Sequence, residues 1–134
     1  MKSKWLMSFA LLVCVLSASG PLFAHHGAAA YADKIVVMKD ATVTKFLWSN
    51  PHNIVMFDVK DDKGEIMHWA GEAGSPSATG LLGWTRNSFQ PGDVITVYIY
   101  PAKSGNPVGR LNKIVFADGK ILRDSQLGGD KKEQ

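Results

Sequence analysis

The stretch Ser75-Pro76-Ser77-Ala78-Thr79-Gly80-Leu81-Leu82-Gly83 carries a helix start and a helix stop. Serine is a preferred N-cap, and proline suits the first helical position, where its missing N–H costs nothing. Gly83 stops the run near Leu82. The helix is short and the segments on both sides read as strands, so its place in the order decides the fold.

Three strands precede it. Ile35 to Trp48 is long and rich in β-branched residues, which suits one long, bent strand or two in succession. Alternation in its second half puts Ala41, Val43 and Leu47 on one face and Thr42, Thr44 and Phe46 on the other. Ser49-Asn50-Pro51 ends it, because proline cannot donate to a ladder. Asn53 to Lys60 is the second strand, with Val55, Phe57 and Val59 on one face. Asp61 to Gly64 is a hairpin turn, and Glu65 to Ala70 is the third strand.

Two or three strands follow. Gln90 to Asp93 is a turn, and Val94 to Tyr100 alternates cleanly, with Ile95, Val97 and Ile99 together. Lys103 to Gly109 is a loop, and Arg110 to Phe116 and Lys120 to Leu122 flank the turn at Asp118-Gly119. Three strands, a helix and two or three strands is the order of a mainly β fold, a small OB-like Greek-key β-barrel with its short helix between strands three and four. A small open β-sandwich has the same order.

The start of the chain reads as an export signal. Lys2 and Lys4 form a basic region, Trp5 to Leu16 an apolar one, and Leu22-Phe23-Ala24 a cleavage site. The apolar run is shorter than the roughly 20 residues of a membrane span. Cys14 follows Val13 where a lipid anchor wants Gly or Ala, so it leaves with the signal and no thiol remains. The expected organisation is a signal peptide over 1–24, an N-terminal arm over 25–33, one β-barrel domain over 34–124 and a flexible polar tail over 125–134. The exported protein is then periplasmic or secreted, with no stable membrane insertion.

Removing 1–24 leaves 110 of the 134 residues, with 13 basic against 12 acidic side chains. That near-balance lacks the clustered basic face of a nucleic-acid binder, so no nucleic acid is expected as partner.

Chemistry rests on few residues. The chain has four histidines, His25, His26, His52 and His68, and no CxxC, HExxH, P-loop or GxSxG motif. No catalytic residue is assigned. Cleavage after Ala24 gives a terminus whose free amine and imidazole lie on one residue, with His26 beside it. Neutral imidazole and amine are good copper(II) ligands, since that ion favours tetragonal nitrogen sites. Cleavage after Phe23 leaves histidine at position three, which binds copper(II) in another geometry. A distant imidazole completes a more rigid site, and His52 or His68 can supply it. His52 lies on the loop between strands one and two, which borders the usual ligand face of an OB barrel. The expected metal set is His25, His26 and His52.

Trp48, Trp69 and Trp84 suit either core packing or a stacking surface. Glu72, just after the third strand, is a base, a ligand or a cap for the helix, and Arg86 is a candidate partner for it. Trp48, Asn50, Glu72, Trp84 and Arg86 therefore form the candidate ligand surface.

Together these segments resemble a family of small exported bacterial proteins known only as a domain of unknown function. The likeness lies in Ala24-His25-His26, in Trp-x-Asn-Pro-His from Trp48 to His52, and in Trp-x-x-Glu-x-Gly-Ser-Pro from Trp69 to Pro76. Gly83 to Arg86, Pro91 to Asp93 and Pro101 to Gly105 continue it across nearly the whole exported chain. Gly27 departs from it, since the family often has serine there followed by an aromatic residue, and here Tyr31 comes later. The resemblance implies export and a single β domain, and brings no activity.

The leading expectation is an exported periplasmic binding protein that takes copper through its processed histidines. The alternatives are a histidine-brace copper oxidase, or a metal-free OB-like module for a small molecule, a carbohydrate or a partner protein. The partner is an unidentified small ligand or periplasmic protein.

Overall fold

The computed structural model describes residues 30–124. Contacts divide the chain into units of residues 1–30 and 31–134, and all that follows concerns the second. Its elements are β1 (Val36–Leu47), β2 (Ile54–Lys60), β3 (Ile66–Glu72), α1 (Pro76–Gly80), β4 (Val94–Pro101), β5 (Val108–Phe116) and β6 (Ile121–Arg123).

The sheet runs β3-β2-β1-β4-β5-β6, and a further pairing of β3 with β5 closes five strands into a barrel. That closing pair is parallel and short, joining Ala70, Gly71 and Glu72 to Val108, Gly109 and Arg110. The other pairs are antiparallel. With α1 between β3 and β4, this is the OB-type Greek key rather than an open sandwich. β5 divides its second edge. Its first residues meet β3, and Lys113, Ile114 and Val115 meet β6.

β1 is one continuous bent strand. Its first half pairs with β4 and its second half with β2. Register shifts between Met38 and Ala41, where Asp40 has φ 55°, and again between Val43 and Lys45. Each irregularity moves the inward phase by one residue. Strict alternation therefore fails in β1. Ala41 and Val43 are buried as expected, but Phe46 turns toward the core instead of sharing an outer face with Thr44.

The core follows alternation in β2 and β4, while in β5 a register shift opposite Tyr98 and Ile99 moves the inward phase between Leu111 and Ile114. Val55 and Phe57 from β2, Ile95, Val97 and Ile99 from β4, and Leu111 and Ile114 from β5 are buried. Trp84 and Phe89, in the connection from α1 to β4, pack edge-on with centroids 5.3 Å apart. Phe89 also meets Phe46 at 4.9 Å and Phe116 at 5.3 Å. Aromatic groups from β1, β5 and the α1–β4 connection thus form one cluster, joined by offset and edge contacts.

Ser75 caps α1 as expected, its Oγ accepting from the Ala78 N–H at 3.3 Å, and Pro76 is the first helical residue. The helix proper ends at Gly80, and turns carry the chain to Gly83, whose φ is +90°. β3 runs two residues beyond the expected Ala70, because Gly71 and Glu72 are held on both sides, by β2 and by β5.

Candidate functional site

The β1–β2 loop is stitched to the segment that follows β3. Asn53 is fully buried; its Oδ1 accepts from the Ser49 N–H at 3.2 Å, and its Nδ2 donates to Thr79 Oγ1 at 2.8 Å. Its backbone N–H donates to the Gly74 carbonyl and its carbonyl accepts from Ala73. Ser49 Oγ closes the loop by donating to the His52 carbonyl at 3.0 Å. The Asn50–Pro51 peptide bond within it is cis.

This frame fixes His52. Its Nδ1 lies 3.1 Å from the Ala73 carbonyl and 3.3 Å from Glu72 Oε1. A carbonyl and a carboxylate only accept hydrogen bonds, so Nδ1 carries the proton. In the neutral ring the lone pair is then on Nε2, and the His52 side chain is half exposed. This is how an imidazole is held when its other nitrogen binds a metal.

The second oxygen of Glu72 has its own partner. Tyr31 donates its hydroxyl to Oε2 at 3.2 Å. Tyr31 is fixed by a backbone bridge to Ala102, and Ala32 N–H donates to the Pro101 carbonyl at 2.8 Å. Burial, then the charge of Glu72, then the hydrogen bond to it, raise the Tyr31 phenol above its ordinary value; Arg110 opposes them.

Arg110 stands beside Glu72 in the β3–β5 register. Its Nε lies 3.6 Å from Oδ2 of Asp124, a nearly buried carboxylate whose Oδ1 accepts from the Gly74 N–H at 2.6 Å. Arg110 and Asp124 thus brace the segment that carries Ala73.

The structure corrects several expectations. Glu72 does not cap α1; it is the last residue of β3, and Ser75 is the cap. Arg86 is exposed and does not pair with Glu72, whose partners are His52 and Tyr31. Trp84 offers no ligand surface. It is 2% exposed, and its indole N–H donates to the Arg123 carbonyl at 2.9 Å. Trp48 is half buried, edge-on to Phe46 at 6.0 Å, and Asn50 is exposed.

His68 is exposed and stands apart, its Nδ1 2.6 Å from Asp58 Oδ1 across the β2–β3 ladder. An outer-wall groove of about 450 Å³ passes it, lined by Met56, Asp58, His68, Trp69, Pro107 and Val108 among others. His25, His26, the expected signal peptide and the expected tail lie outside the described residues. Among the described residues, no three His, Cys, Asp or Glu side chains converge as a metal site. Any metal at His52 therefore takes further donors from elsewhere.

Tyr31, Asn53, Arg110 and Asp124 are the site's unforeseen members. Tyr31 stands out in sequence as the lone large side chain of the arm, which is a signal that something holds it. The other three arrive by register and loop closure, which no local pattern encodes.

A small closed barrel of OB topology, with a carboxylate-held imidazole on its first loop, is the class that fold and site define. The chain belongs to a family of unknown function, DUF6152, whose family model matches residues 12–112. No curated protein and no solved structure gives a significant match.

No helix of the described residues is long and apolar enough to cross a membrane.

Proposed function

We propose that this is an exported periplasmic protein that binds copper(II) through His25, His26 and His52 and performs no catalysis of its own. The observation that carries the reading is the His52 ring. Its Nδ1 faces two acceptors and its Nε2 is left as a lone-pair donor. Signal removal after Ala24 supplies a terminal amine and two more imidazoles. Tyr31 follows His26 by five positions, at most about 18 Å of extended chain. That length favours His52, whose carboxylate partner is also the partner of Tyr31.

The test is the exported protein itself. Intact mass and N-terminal sequence define the new terminus, and a copper(II) titration follows. One tight equivalent is expected, weakened by His25→Ala and by His52→Ala. A titration that His25→Ala leaves unchanged removes the reading. A terminus at Ala24 excludes the histidine-brace geometry, though copper(II) binding with histidine at position three survives.

The outer-wall groove favours a second reading, a metal-free module for a small ligand. Its volume is in the range of small-molecule sites, and its apolar walls carry the polar pair His68 and Asp58 together with Thr44. Ligand binding that is equal with and without chelator supports this reading over the first.

A further inference from the structure

The two oxygens of the Glu72 carboxylate serve two different side chains. Oε1 faces His52 Nδ1 at 3.3 Å, and Oε2 accepts from Tyr31 at 3.2 Å. We infer that Glu72, held in place by Tyr31, is the positioning residue that makes His52 a strong metal donor. This rests on the copper reading above and assigns roles within it that the residues beside the ring perform.

Ala73 and Glu72 do different work on the same N–H. The Ala73 carbonyl is neutral and belongs to the backbone, so it can orient the ring but adds no charge. The carboxylate charge, 3.3 Å from Nδ1, favours the Nδ1–H form and raises electron density at Nε2, which becomes a better donor. For that effect Oε1 must stay beside the ring. A glutamate side chain turns freely about its last torsion unless something fixes the carboxylate plane. Tyr31 is that fixture. Its hydroxyl occupies the opposite oxygen, and its backbone is pinned to Ala102. Arg110, the cation nearest by register, has its Nε turned to Asp124 instead of drawing Glu72 away.

The fold contains its own control. His68 and Asp58 repeat the imidazole–carboxylate pair at 2.6 Å between β3 and β2, but on an exposed wall. Among the described residues no phenol holds Asp58 as Tyr31 holds Glu72.

Two measurements test the inference on the full exported chain. The first needs no metal. Nitrogen–proton NMR of the His52 ring, recorded where imidazoles are neutral, is expected to show only the Nδ1–H form. In Glu72→Ala the other tautomer should rise to at least about a tenth, as the negative charge facing Nδ1–H is gone. The second uses copper(II) alone as the probe, with affinity read by competition and the site by electron paramagnetic resonance. Glu72→Ala and the near-isosteric Glu72→Gln should each weaken binding about ten- to a hundredfold. Tyr31→Phe should weaken it less and shift the copper spectrum, and Asp58→Asn should change neither. Wild-type copper affinity and spectrum in both Glu72 variants overturn the positioning role and leave the copper reading standing. A His52 ring that stays wholly Nδ1–H in Glu72→Ala, with copper(II) affinity also unchanged there, overturns the role, since Ala73 then suffices. No copper binding by the wild-type chain overturns both.

Discussion

Asn53 shows how one side chain can hold a loop. It has no solvent exposure, and both ends of its amide are used, on Ser49 and on Thr79. Replacing it with alanine deletes both bonds and leaves the buried Thr79 hydroxyl oxygen without its donor. The expected cost is about 2 kcal/mol, within the range for leaving a buried group unsatisfied. A urea unfolding curve checks it, by a lower midpoint at unchanged slope. His52 should loosen too, since its own backbone is closed by Ser49 Oγ. Tyr31 gives a prediction in pH. Its phenol is raised by burial first and then by Glu72. A group with a raised folded value binds its proton more tightly in the native state. Its contribution is therefore complete below the unfolded value of about 10 and is lost as pH rises through the higher folded value. The absorbance difference at 295 nm between wild type and Tyr31→Phe should develop above pH 10. A difference centred at or below 10 would mean that the contact with Glu72 does not persist in solution.

The barrel's closing pair tests the fold at the next scale up. Gly71 and Gly109 stand opposite one another in the parallel β3–β5 register. A Cβ added at Gly109 would lie 2.6 Å from the Tyr100 carbonyl oxygen, a backbone atom that the β4 ladder fixes. A Cβ at Gly71 would meet the Leu111 side chain at 2.6 Å, which can rotate away at some cost to packing. Gly109→Ala should therefore destabilise more than Gly71→Ala, by about 3 kcal/mol against 1–2 kcal/mol on the scale of overpacked cores. Paired thermal melts decide this, and the reverse ranking would mean that β4 yields more easily than Leu111. Neither glycine has the positive φ of a turn, so neither advertises its role in sequence. What was legible at this scale was alternation. Ile95, Val97 and Ile99 read as a buried face and are one. β1 was legible as a long bent strand but not in phase, because the bulge between Val43 and Lys45 turns Phe46 inward and no residue pattern counts bulges. The helix was legible from Ser75 and Pro76 because caps are local chemistry.

At the scale of the whole molecule, element order predicted the barrel, but the contact that closes it joins residues nearly forty positions apart. That closure brings Arg110 beside Glu72, while the β2–β3 register, which sets Ile54 opposite Glu72, brings His52 there; His52 and Glu72 could be named separately, but no local pattern encodes their meeting. The same distinction between local and assembled chemistry gives the sharpest test of the metal reading. A histidine terminus binds copper(II) with donors that are neighbours in sequence, so it binds equally well in the unfolded chain. Such binding adds nothing to stability, because ligand stabilises only as far as it prefers the native state. A site that includes His52 exists only when the β1–β2 loop is folded against Ala73 and Glu72. With free copper(II) at a hundred times the native dissociation constant, and negligible affinity for the unfolded chain, the stabilisation is about 2.7 kcal/mol. In a domain of this size that raises the melting temperature by about 10 °C or more. His52→Ala should abolish the rise while keeping copper bound at the terminus, and His68→Ala should keep the full rise. Copper binding without any change in melting temperature would place all the donors at the terminus and leave His52 a structural residue of its loop.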